Sequence, residues 1–177
     1  MSLRRYGVEL AVHVAPGRPL FALLAARTPA APLFIYTLAA EYDLYALAAH
    51  ASGFLLGTSP AEIPQECADR MGAAYLHRLL ALQVHRREAM REVLRALPRA
   101  HPVTRRCGAE AQQRLANAWL LTSGYLIWEG RPDLTTTSMS VTFEGVGASI
   151  QCEMCRACFF ERIEQALTAW AGLARTI

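Results

Sequence analysis

The chain has 177 residues, of which 53% are hydrophobic and only 19% charged, and its formal net charge is +3. That length and apolar share suit one compact domain or a helical array with a real core, and they exclude global disorder. The basic residues are all arginine, and their excess is too small and too scattered for a nucleic-acid surface.

The chain reads as helices cut by proline and glycine, with no internal repeat. Leu3 to Val14 forms a first helix, stopped by Pro16 and Gly17. Its arginines, Arg4 and Arg5, with Arg18 and Arg27 further on, meet one acid, Glu9, before Glu41. This is read as an ordinary basic helical start, with an organelle transit peptide as the alternative. Pro19 to Arg27 is a second helix, with proline in its first turn. Leu33 to Glu41 is a third, and Asp43 is the expected N-cap of a fourth over Leu44 to Leu56, ended by Gly57. Ser59 before Pro60 starts one more helical turn.

Ala73 to Leu97 is the clearest helix. Leu76, Leu79, Leu80, Val84, Met90, Leu94 and Leu97 form its expected apolar stripe, with a gap at Arg87. Arg86, Arg87 and Arg91 are expected on a solvated face. Pro98 ends the helix and a linker runs to Arg106. Ala109 to Trp128 is a second long helix with a stripe of Ala111, Leu115, Ala118, Thr122 and Leu126. Trp119, Leu120, Leu121, Tyr125, Ile127 and Trp128 add apolar groups all round, so burial between neighbours is expected. Over Thr135 to Gln151, Met139, Val141 and Phe143 alternate with Ser140, Thr142 and Glu144, before Gly145 and Gly147. That period of two predicts a small extended or hairpin insert near 135–151. A last helix is expected from about Cys155 to Ala174, with Phe159, Phe160, Ile163, Leu167 and Trp170 on one face.

The segments PLFIYTLAAEYDLYALAAHA, from Pro32 to Ala51, and AYLHRLLALQVHRRE, from Ala74 to Glu88, carry a family pattern. Together they resemble the helical region that follows the BTB/POZ domain in fungal BTB-domain proteins. Pro32, Leu33, Tyr36 and Ala39 match its first helix, and Tyr42, Leu44, Ala48 and Ala51 its second. Tyr75, Arg78, Leu79, Leu80, His85 and Arg86 match a third motif. The upstream Arg4 to Val12 is similar to the end of the BTB portion, and Cys152, Cys155 and Trp170 match a looser tail motif. Two departures stand out. Glu88 replaces the family's cysteine, and the BTB core, which supplies dimerisation and ligase docking in relatives, is absent. The resemblance implies a protein–protein interaction tail of an adaptor-type protein.

The chemistry concentrates in C-E-M-C-R-A-C. Cys152 and Cys155 have the spacing of a zinc half-site, Cys158 adds a third sulfur, and Cys107 or His101 could complete four ligands. The competing reading takes the cysteines as small core residues opening an amphipathic helix, reduced, with Cys158 packed near Phe159 and Cys152 the most exposed. Five cysteines cannot all pair, which favours a reducing compartment. His13, His50, His77, His85 and His101 fall into no catalytic spacing, and no glycine pattern cradles phosphate.

The expectation is therefore an all-α array of short and long antiparallel helices. Residues 1–98 are expected to form a BTB-associated-like helical region and 99–177 a C-terminal helical extension packed on it, as one compact unit. The expected role is non-enzymatic protein binding, cytoplasmic or nuclear, without nucleic acid or membrane, and with no catalytic, cofactor or metal residue assigned. The alternative is a small zinc- or thiol-dependent module built on Cys152, Cys155 and Cys158.

Overall fold

A computed structural model describes residues 10–177. The expected contributions of residues 1–9, including Arg4, Arg5 and most of the upstream match over residues 4–12, lie outside the described residues. Among the described residues the chain is all-α. Its helices are α1 (Leu10–His13), α2 (Pro19–Arg27), α3 (Pro32–Glu41), α4 (Tyr45–Ser52), α5 (Gln65–Arg95), α6 (Ala109–Glu129), α7 (Thr136–Gly147) and α8 (Glu153–Ala171). None of these helices is long and apolar enough to cross a membrane.

Two compact units divide the chain. Unit 1 holds residues up to Val84 together with Ala174–Ile177, and unit 2 holds His85–Leu173. The division falls inside α5, whereas the sequence suggested residue 98, after the helix. Proline at the end of a helix marks where the helix stops, not where its packing partners change.

Unit 1 packs α2, α3, α4 and the first part of α5 around Ile35, Tyr36, Leu47, Leu55, Tyr75 and Leu79, all buried. Small residues let the helices approach closely: Ala39, Ala48 and Ala51 are fully buried. Asp43 does not cap α4. It sits in the left-handed region at φ 54°, and its carboxylate accepts a hydrogen bond from Tyr75 Oη at 2.6 Å. The helix instead starts after Leu44, with no side-chain cap. Ser59 does start a turn: its hydroxyl and the Glu62 carboxylate form a reciprocal capping box over Pro60–Glu62.

Helix α5 starts earlier than expected, at Gln65, but kinks at Gly72, where φ is 69° and ψ 163°. Only glycine adopts that conformation readily, so Gly72 joins two helical segments, residues 65–71 and the longer one beyond it. Its buried residues are Met71 before the kink and Tyr75, Leu79, Leu82, Gln83, Arg86, Met90 and Leu94 after it. The expected stripe is therefore rotated. Leu80 is half-buried, while Val84 and Leu97 are exposed. Arg86 is a core residue and not part of a solvated basic face. Its guanidinium lies 4.2 Å from the Trp170 ring centroid, and its Nε donates to the Pro132 carbonyl at 2.7 Å. Counting Arg86 as core closes the gap that Arg87 left in the apolar pattern.

Unit 2 centres on an aromatic cluster. Trp119 stacks on Phe143 at 4.4 Å, and Phe159 meets both rings edge-on. The indole N–H groups are satisfied: Trp119 Nε1 donates to Leu94 O and Trp170 Nε1 to Leu134 O. The hairpin expected near 135–151 is instead helix α7, capped by the Thr135 hydroxyl, which accepts from the Ser138 N–H at 3.1 Å. Met139 and Phe143, four apart, are fully buried, while Val141 points outward. The alternation was a coincidence of helical phase: two apolar residues face the core and the third faces solvent. Gly147 ends α7 under the ring of Phe160, where a Cβ would lie 2.9 Å from Cζ.

Helix α6 also departs from expectation. Trp119, Ser123 and Leu126 form its buried edge, but Leu120, Leu121, Tyr125 and Trp128 are exposed. The helix is not enclosed by neighbours.

Candidate metal centre

The linker between α5 and α6 carries His101 and Cys107, both buried despite the exposure of Pro102 to Arg106 between them. Backbone geometry aims them inward. Thr104 and Cys107 exchange two backbone hydrogen bonds of 3.0 and 3.2 Å, and the Cys107 N–H also lies 3.1 Å from Thr104 Oγ1. This tight turn presents the Cys107 thiol to the start of α8. There Cys152 occupies the N-cap position and Cys155 lies in the first turn. All of these residues belong to unit 2.

The four side chains converge. The ligand atoms of His101, Cys107, Cys152 and Cys155 all lie within 4.8 Å of one another. His101 Nε2 is 3.2 Å from Cys155 Sγ and 3.5 Å from Cys152 Sγ, and the Cys107 and Cys155 sulfurs are 3.5 Å apart. A tetrahedron with Zn–S of about 2.3 Å and Zn–N of about 2.0 Å has edges of roughly 3.5–3.8 Å. The two 3.5 Å separations lie at the short end of that range, and the 3.2 Å between His101 Nε2 and Cys155 Sγ is tighter than it.

The histidine is set for ligation. Its Nδ1 lies 2.7 Å from the Pro102 carbonyl, which can only accept, so Nδ1 carries the proton and the Nε2 lone pair faces the sulfurs. Gln112, from the first turns of α6, donates to the His101 carbonyl at 2.9 Å and steadies the linker.

The thiols differ electrically. The backbone N–H of Cys155 stabilises the Cys152 thiolate, with help from Cys107 and His101, and lowers its pKa to about 7. Burial pushes the Cys155 thiol up to about 12. Three ionised sulfurs cannot share this space without a cation, and a divalent ion would supply the missing positive charge. The donor set of three sulfurs and one imidazole is a zinc set, and it fits the residues present.

The sequence pattern identified this site in part. It singled out Cys152 and Cys155, and named Cys107 or His101 as possible completions; the structure brings both of these in. Cys158 stays out: it is half-buried on another side of α8, beside Ala96, Leu97 and Arg162. Of the cysteines expected in the helix, Cys155 is buried, Cys152 and Cys158 are half-buried, and all are free thiols. The supporting Thr104 and Gln112 carried no recognisable signal. His13, His77 and His85 are exposed, and His50 lies between the rings of Phe21 and Phe54. Beside the centre a cleft of about 510 Å³ opens between α6 and the segment joining α7 to α8, with Arg106, Leu115 and Ile150 among its walls.

No protein-family description matches the chain, and neither a curated protein nor a solved structure matches it.

Proposed function

We propose that this chain is a non-enzymatic helical module stapled by one zinc ion, held by His101, Cys107, Cys152 and Cys155. The observation that carries the reading is the convergence of these four ligand atoms within 4.8 Å. Four protein ligands leave no coordination position for substrate, which argues for a structural role over a catalytic one. The ion would tie the linker, whose residues from Pro102 to Arg106 are exposed, to the first turn of α8. The assignment promotes the zinc alternative of the sequence reading and exchanges Cys158 for His101 and Cys107.

The test is elemental analysis of purified protein, with Cys155→Ser and Cys158→Ser as paired variants. The expected result is one equivalent of zinc in the wild type and in Cys158→Ser, and none in Cys155→Ser. Metal-free wild type that takes up no zinc on titration would refute the assignment.

A second reading, compatible with the first, is protein–protein interaction, as in the tail of a BTB-type adaptor. Two observations favour it. The residues that carry that resemblance, among them Tyr36, Ala39, Leu44, Ala48, Ala51, Tyr75 and Leu79, are core residues of unit 1. The outer face of α6 is apolar and uncovered among the described residues. A pull-down from native lysate, comparing wild type with Leu121→Glu, tests it; equal capture by both would remove α6 from the reading.

A further inference from the structure

Helix α6 spends apolar surface on solvent. Leu120 is 51% exposed, Leu121 77%, Tyr125 54% and Trp128 88%. Together they expose on the order of 600 Å² of largely apolar side chain, at the upper end of the largest patch on an ordinary monomer. That area is about three-quarters of the ~800 Å² per partner in a standard protein interface.

Gly124 lies in the middle of this patch. A Cβ built on it would meet nothing within 4 Å, so no packing within the chain requires glycine there. Glycine inside a helix costs about 1 kcal/mol relative to alanine. The cost is explained if another backbone approaches this point closely, because the missing Cβ lets helix axes come together.

We propose that α6 is the contact helix of a symmetric dimer, two copies of this chain crossing antiparallel at Gly124. The inference names the partner for the interaction reading above and rests on it. Leu121, Gly124 and Trp128 follow one another at spacings of three and four, so they share a face. Turned end for end about Gly124, the stripe is complementary to itself: Leu121 of each copy meets Trp128 of the other. No charged residue lies between Asn117 and Trp128, and the adjoining Glu129 carboxylate is already engaged by Tyr125 Oη at 2.7 Å, so the Leu121–Gly124–Trp128 stripe itself is uncharged. A two-fold contact of this kind is closed and does not propagate into a filament.

Sedimentation velocity on the full, zinc-supplemented chain tests the proposal across micromolar concentrations. The expected mass is twice 19.5 kDa. Trp128→Glu and Leu121→Glu should be monomeric with unchanged helical circular dichroism, because both side chains are exposed within one copy. Gly124→Leu should weaken dimerisation at least tenfold without lowering the melting temperature of the monomer, since its side chain would enter open space there. A mass of 19.5 kDa throughout, or a dimer indifferent to these variants, overturns the inference. Lysate capture by a monomeric wild type, lost in Leu121→Glu, would leave the interaction reading standing and sink only the second copy as partner. Zinc content measured on the same samples keeps the metal assignment separate from either result.

Discussion

Unit 1 closes several short helices around Tyr36, Leu47 and Leu79, and tyrosine hydroxyls are among its polar ties. Tyr36 Oη donates to the Tyr75 carbonyl at 2.8 Å, and Tyr75 Oη to Asp43. Unit 2 packs longer helices on Trp119, Phe143 and Phe159, then trails a linker whose main inward-facing groups are His101 and Cys107. The first unit buries apolar side chains chiefly from α3, α4 and the first part of α5. The second reaches the same end over its helices only, and leaves its linker to four ligand atoms. Apolar burial dominates unit 1, whereas the linker of unit 2 leaves its large apolar residues, Leu97 and Val103, exposed and buries His101 and Cys107 instead.

Metal removal should separate the two regions most sharply. With free zinc at ~100 times its Kd, ligation adds about 2.7 kcal/mol, equivalent to roughly 100-fold in amide protection. Chelation should therefore lower hydrogen-exchange protection by about that factor around Cys107 and over the first turns of α8. Amides of α3 and α4 should keep theirs. Uniform loss through both units would show that the comparison is drawn in the wrong place, and unchanged protection at Cys155 would count against ligation.

A second effect distinguishes the faces of α5. Leu79 is fully buried in the core of unit 1, whereas its neighbour Leu80 is half-buried. Leu79→Ala should cost about 2–5 kcal/mol in a denaturant melt. Leu80→Ala should cost less than half as much, because less apolar area leaves water when the helix packs. Equal losses would restore the stripe read from spacing and undo the rotation that places Arg86 inside.

These residues also show how far the sequence could be read. Helix existence was legible wherever apolar residues recurred over several turns, as in α5, α6 and α8. The phase of α5 was not, because Arg86 is charged and its partners, the Trp170 ring and the Pro132 carbonyl, are remote in sequence. Residues 136–147 defeated the pattern because a short helix with one outward valine mimics a period of two. At the metal centre the C-x-x-C spacing was local and visible. The choice between Cys158 and the pair His101 and Cys107 was tertiary: His101 and Cys107 lie 54 and 48 residues before Cys155. Helical phase turns Cys158 away from the cluster, and only the closed linker shows what replaces it.

The smallest predicted effect concerns the tyrosine tie of unit 1. Tyr75→Phe removes the hydroxyl that Asp43 accepts from at 2.6 Å, and leaves the ring's packing in place. A hydrogen bond to a charged group contributes about 1.5–3 kcal/mol, and the exposure of Asp43 puts the expected loss near the lower bound. The pH dependence gives a second readout. Burial first, and the Asp43 carboxylate next, push the Tyr75 pKa from 10.0 up to about 12. A raised pKa in the folded state means that folding holds the proton more tightly than the unfolded chain does. The associated stability is complete below pH 10 and is lost as the pH rises towards 12. Wild type should therefore lose stability across that window, and Tyr75→Phe should lose less. Burial also raises the pKa of Tyr36, so the variant should retain part of the slope. Denaturant melts between pH 9 and 12 measure the difference, and parallel curves for the two proteins would remove Tyr75 from the tie.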